Sequence, residues 1–219
     1  MPADPAGGAP HHSWWQGLIR GIRGRPDRLL VVQSDRHPDG VRVEMSADDA
    51  ADVVGPDLVC EAVLDHSGVS ELHVCPTFAP RAPDLWYLEL TEDTTQPAAV
   101  NLLAFGSGGS PAGLLLDADD VPDVPVTSAD QLGAIRWYPA TGEVDQIYVD
   151  PSRRREHIGT ALLAAAATLS VARGWPRLWT DGQRTALGEQ LTRSRSWASR
   201  AQDLTHTAPP MTPHAPDAP

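Results

Sequence analysis

The chain has 219 residues, 41% of them apolar, with 21 prolines, 18 glycines, 17 arginines, no lysine and a formal net charge of −12. This is enough for one full-sized domain with a packed core plus an extension, and so acidic a balance excludes a general nucleic-acid binder, which needs basic surface against phosphates. No apolar run reaches membrane-spanning length, and the opening MPADPAGGAPHH lacks the basic start and apolar core of a secretory signal, so a cytoplasmic protein with free thiols at Cys60 and Cys75 is expected.

Residues 1–12 read as disordered. The run WWQGLIRGI at 14–22 puts Trp15, Leu18, Ile19 and Ile22 on one face of a short amphipathic helix that packs on the protein's own core. Five β-like runs follow, at 29–33, 41–45, 58–64, 71–75 and 85–90. Ser46 is a good N-cap for a short helix over 47–54, with Asp48 and Asp49 in its first turn. Two more β-like runs, 99–105 and 113–116, flank the turn sequence GSGGSP. The acidic, proline-broken stretch 117–130 reads as an exposed loop.

Past residue 130 the pattern sharpens. Residues 132–138 form a strand, Pro139 to Gly142 a turn, and 143–149 a second strand pairing back as a hairpin. Pro151 ends it. A helix is expected over 155–173, its apolar stripe made of Ile158, Leu162, Ala165, Leu169 and Ala172, with Gly174 just past its end and Pro176 preventing continuation. A short strand at 177–180, parallel to the one before the helix, completes a βαβ unit. Another helix covers 186–195, and the tail from 205 reads as disordered.

Charge is unevenly spread. Residues 152–205 hold nine Arg against Glu156, Asp181, Glu189 and Asp203, a local +5, while the rest carries −17. A basic segment in an acidic protein indicates a local anionic ligand. The segment Ile147-Tyr-Val-Asp-Pro-Ser-Arg-Arg-Arg-Glu-His-Ile-Gly-Thr-Ala-Leu-Leu163 is a strand, a basic turn and a helix whose first turn contains Gly159. That turn offers unpaired N–H groups and the positive end of the helix dipole, where a pyrophosphate can sit. Gly159 allows close approach, and Arg153, Arg154 and Arg155 add charge. Cys60, His66, His73 and Cys75 match no common zinc module, so no metal site is expected.

This segment resembles the signature motif of the GNAT N-acetyltransferase superfamily, in which a strand gives way to V-x-P and then to Arg/Gln-x-x-Gly-x-Gly/Ala at a helix start. Val149 and Pro151 fit the strand end, Arg154 the first motif position, Ile158 and Gly159 the last two, and Ala161-Leu162-Leu163 the helix after it. His157 stands where the first glycine is expected. The family's helical pair between its first two strands has no counterpart at 86–130, and its last-helix Tyr none at 186–197. The resemblance implies an α/β fold with a GNAT-like mixed, splayed β-sheet flanked by helices. The layout is a β-rich N-terminal extension over 13–130, an acyl-CoA-binding core over 131–204, and tails at 1–12 and 205–219.

The resemblance also implies roles. The backbone of Ile147, Tyr148 and Val149 would hold the pantetheine arm of acetyl-CoA. Arg154 and the N–H groups of Arg155, Glu156, His157, Ile158, Gly159 and Thr160 would hold its pyrophosphate. Glu143 takes the general-base position four residues before that tripeptide, and Asp145 is a second carboxylate candidate. The implied reaction is acyl transfer, of acetyl foremost, from acetyl-CoA to an amine. The acidic remainder of the molecule favours a cationic acceptor. Neither nucleic acid nor membrane is an expected partner. The alternative reading is a degenerate family member that holds acyl-CoA or a partner without catalysis.

Overall fold

The computed structural model describes residues 13–208 except residues 23, 54, 56, 109, 124–125 and 194–196. The expected disordered start, 1–12, lies outside the described residues, as does the tail beyond residue 208. The N-terminal part is a five-stranded sheet in the order β3-β1-β2-β4-β5, built from β1 (Trp14–Ile19), β2 (Asp27–Gln33), β3 (Arg42–Glu44), β4 (Leu58–Asp65) and β5 (Gly68–Val74). A six-stranded sheet follows in the order β11-β10-β9-β7-β6-β8: β6 (Leu85–Glu92), β7 (Ala99–Gly106), β8 (Leu115–Leu116), β9 (Gln131–Tyr138), β10 (Glu143–Val149) and β11 (Trp179–Thr180). An antiparallel bridge between Glu71 and Leu114 ties the edge of the first sheet to the chain entering β8. The remaining elements are α1 (Ala47–Ala51), α2 (Ile158–Ala172), α3 (Ala186–Thr192) and a two-stranded ladder of β12 (Gln183–Arg184) and β13 (His206–Thr207).

Within the run at 14–22, Trp14–Ile19 is a strand, not the amphipathic helix its spacing predicts, and Ile22 is exposed. The strand pairs antiparallel with β2 and parallel with β3, and both of its faces are covered. Trp14 and Leu18 enter the main core; Trp15 and Ile19 enter a second cluster on the outer side of the sheet with Leu30, Val32 and the buried Ala50 of α1. Apolar residues at 14, 15, 18 and 19 satisfy either a helix stripe or a strand apolar on both sides, and tertiary pairing decides between them. Ser46 caps α1 as the sequence predicts, in a reciprocal capping box with Asp49. The stretch 117–130 is not all irregular: it contains two short 3-10 turns, Ala118–Asp123 and Ser128–Asp130.

Helix α2 is the centre of the molecule. From Ala161 to Ser170 every residue is buried, including Thr168 and Ser170. The helix therefore has no exposed face opposite the stripe that the sequence predicts. Both sheets close on it: Ile135, Trp137, Leu102 and Tyr87 on one side, Val59, Ala62 and Leu72 on the other, all in one cluster. The alanine run explains how a helix fits between two sheets, since small side chains let backbones approach from every direction while the apolar surface still leaves water. At its C-terminal end Gly174 is left-handed (φ 70). Arg173 pairs there with the buried carboxylate of Glu89 on β6, one contact measuring 2.6 Å.

Candidate functional site

The site is made by two strands that start together and part. β10 and β11 are parallel but share only two register pairs, Glu143 with Trp179 and Val144 with Thr180. Their joint is fixed by the preceding turn: the Trp179 N–H donates to the Gly142 carbonyl (3.0 Å), and the Trp179 indole N–H to the Thr141 carbonyl (3.1 Å). Gly142 has φ 77 and lies against the Arg177 carbonyl, where a Cβ has no room. On its other edge β10 has a bulge, the register with β9 shifting between Val144 and Gln146. A bulge bends a strand and re-aims its side chains. Past this point the outer edge of 145–149 has no strand partner among the described residues.

The gap is a cleft of about 870 Å³. One wall is β10 from Val144 to Val149; the other comes from Thr180 and Asp181, Arg184 and α3; the floor at the far end is the start of α2. The second wall is braced by Arg184, which donates to Glu189 (2.8 Å) and to the Gln202 carbonyl (2.8 Å). Thr207 and Ala208, assigned by the sequence to the tail, line this wall, held there by the pairing of β13 with β12.

The far end is formed by the start of α2 and the turn before it. Pro151 and Asp150 make a tight turn, Asp150 Oδ1 accepting from the Ser152 N–H (2.7 Å). The hydroxyl and N–H of Ser152 hold the Asp150 carboxyl below its usual range. Arg155 (φ 67) and His157 (φ 60) then adopt left-handed conformations, which interrupt the helix and delay α2 to Ile158, three residues later than the pattern predicts. Such alternation turns successive N–H groups toward one concavity. His157 occupies the N-cap position and gives no side-chain cap, so the first-turn amides of α2 are left to the cleft. Gly159 faces it with space for little more: a Cβ there would stand 3.4 Å from Leu191 of α3 and 3.6 Å from Val149.

Of the residues singled out in the sequence, Ile147, Tyr148, Val149, Arg154, Arg155, His157, Ile158, Gly159 and Thr160 all line this one cleft. Glu156 does not; its carboxylate pairs with Arg153 (2.8 Å). Glu143 is also outside the lining, at the closed end where β11 covers the strand. Asp145, at the bulge, does line the cleft. It pairs with Arg136 (Nε–Oδ2 3.1 Å), which also pairs with Glu92 (2.5 Å). Partial burial, and the hydrogen bond and charge of Asp145, hold the Tyr138 phenol above its usual pKa.

Among the lining residues without a local signal in the sequence are Phe78 and Arg81. They lie in the connection after β5, far from the basic motif, yet both reach the cleft. Arg81 donates from Nη2 to Nε2 of His157 (3.0 Å). Burial, and then the charge of Arg81, lower the His157 pKa, which favours the neutral imidazole that can accept from Arg81. Its Nδ1 is buried without a partner among the described residues.

No curated protein and no solved structure matches the chain. A family model described as acetyltransferase (GNAT) family matches residues 69–188, a stretch that enters in β5, contains the whole βαβ unit and leaves in α3. It covers more than half of the 219 residues, and with its parted parallel strands and uncapped helix start the chain belongs to the GNAT acetyltransferase family.

Proposed function

We propose that the protein transfers an acyl group, acetyl foremost, from acetyl-CoA to an amine. The observation that carries this reading is the cleft itself, with an unpaired strand edge on one side and uncapped helix amides at its end. The donor's thioester supplies an activated acyl carbon next to that strand. The edge of Ile147, Tyr148 and Val149 offers backbone groups to an amide-bearing arm, as an added strand would use them. The first turn of α2, with Arg154 and Arg155, suits a diphosphate.

At the other end a carboxylate takes the proton of the attacking amine. Glu143 is the residue the motif points to; Asp145 is the one that lines the cleft, and the geometry favours Asp145. The amine nitrogen forms the new bond to the acyl carbon, the carbon–sulfur bond breaks, and water returns a proton to the thiolate. Glu92, Asp145 and Glu143 lie near this end with Arg136 as counter-charge, which suits a cationic acceptor. A cytoplasmic setting accords with this use of acetyl-CoA.

The test is a thermal melt with acetyl-CoA. Donor at about 100 times its dissociation constant should add roughly 2.7 kcal/mol of stability. No shift at millimolar acetyl-CoA would overturn the proposal. A shift without thiol release across a panel of amines would favour a binding protein that does not turn over.

A further inference from the structure

A second cavity lies at the opposite end of α2 from the cleft. It measures about 260 Å³ and opens between Gly40 and Arg42 on one side and Gly174 and Arg177 on the other. Its walls carry two tryptophan rings, Trp14 and Trp175, and three guanidinium groups, Arg42, Arg177 and Arg200; Trp15 also lines it, but its ring belongs to the second core cluster on the other face of the sheet. These arginines come from three separate parts of the chain, so no local basic run accounts for their meeting.

Two of the three are occupied. Arg42 donates to the Val171 carbonyl (3.0 Å) and to Gln16 (2.9 Å), which neutralises the carbonyl end of α2 that would otherwise repel an anion. Arg177 pairs with Asp39 (2.5 Å) and donates to the Ser199 carbonyl (3.3 Å). Arg200 is different. It is only 6% exposed, its nearest carboxylate oxygen is Asp39 Oδ1 at 3.6 Å, and that carboxylate is shared with Arg177. Its guanidinium carbon lies 4.3 Å from the Trp14 ring and 5.7 Å from the Trp197 ring. Its Nε has no hydrogen-bond partner among the described residues. A buried guanidinium with a free donor and half a counter-ion is costly unless something else completes it. In keeping with this, burial lowers its pKa to about 10.

We propose that this cavity is a binding site for a small organic mono-anion, a carboxylate on a flat apolar body. One buried guanidinium with only a shared counter-ion calls for one negative charge, not a phosphate. The tryptophan walls call for an apolar or aromatic body, and a carboxylate accepts from a guanidinium with good geometry. The volume lies below the roughly 300–1,000 Å³ of clefts that take drug-sized ligands, so the body is no larger than about one ring. The site shares no lining residue with the acyl-donor cleft, and its occupancy does not depend on that cleft's function.

Sodium benzoate is the probe, with sodium chloride at equal ionic strength as control and protein melting and tryptophan fluorescence as readouts. Benzoate is expected to raise the melting temperature saturably at millimolar concentration, to change tryptophan emission, and to do so equally with saturating acetyl-CoA present. Arg200→Met keeps the bulk, removes the charge and should weaken benzoate at least tenfold. Because Arg200→Met alters a buried site, Arg177→Met, at a half-exposed position, serves as the second variant and should weaken benzoate severalfold while the protein remains folded. Equal shifts in benzoate and chloride, displacement of benzoate by acetyl-CoA, or unchanged benzoate affinity in both variants would each overturn the proposal.

Discussion

Arg81 and His157 lie 76 positions apart and meet at 3.0 Å over the first turn of α2. This contact links the connection after β5 to the helix-start end of the cleft and places a cation there outside the basic motif. Arg81→Ala should therefore weaken acetyl-CoA about tenfold, the loss of one charge-assisted hydrogen bond of roughly 1.5 kcal/mol. The apo melting temperature should hardly move, because Arg81 is exposed. Titration calorimetry on the two proteins decides; unchanged affinity would remove Arg81 from the site.

His157 holds a left-handed conformation that favours glycine (φ 60). His157→Gly should stabilise the apo protein by about 1 kcal/mol, a rise of roughly 2–4 °C in melting temperature for a chain of this size. A lower melting temperature would show that the imidazole's contact with Arg81 outweighs the strain.

The same residue gives a pH dependence. Burial and Arg81 lower the folded-state pKa of His157 below its ordinary value. Below the unfolded pKa of about 6.5, the unfolded chain takes up a proton that the folded chain refuses. Stability from this residue is thus complete above that pH and falls as pH drops toward the folded value. Wild-type protein should lose more stability than His157→Gly between pH 7.5 and roughly pH 5.5. Equal slopes in urea unfolding series would count against it.

Gly159→Asp should abolish the acetyl-CoA melting shift while leaving the fold intact. The Cβ has 3.4 Å to the nearest side chain, Leu191, and an acidic residue in a first helical turn is favourable. The carboxylate would stand where the diphosphate should bind. Normal acetyl-CoA binding by a folded Gly159→Asp protein would put the phosphate site elsewhere.

Asp145→Asn and Glu143→Gln separate the two carboxylates at the head of β10. Once an amine acceptor is found by thiol release, the variant lacking the base should lose about 100-fold or more in rate with donor affinity nearly unchanged. Because Asp145 lines the cleft and Glu143 does not, the loss is expected in Asp145→Asn, with Glu143→Gln close to wild type. The reverse result would restore the role to Glu143. Full activity in both would mean that the amine arrives neutral or that water relays its proton.

The local pattern was enough for β9, the turn, β10, the glycine-ended helix and the parallel β11, because hairpin turns, proline breaks and helix ends are written in a few adjacent residues. It was also enough to bring nine cleft residues into one list, since 147–160 is one continuous strand–turn–helix segment. Three things depended on packing between distant parts of the chain. Trp14–Ile19 is a strand only because β2 and β3 flank it on both edges. Helix α2 is buried all round because a second sheet closes over its alanines, a fact that an apolar stripe with small residues beside it leaves open. The entry of Phe78 and Arg81 into the cleft, and of Asp145 in place of Glu143, follows from a chain crossing and a one-residue bulge. Periodicity carries no signal for either, because both are set by where non-adjacent segments come to rest.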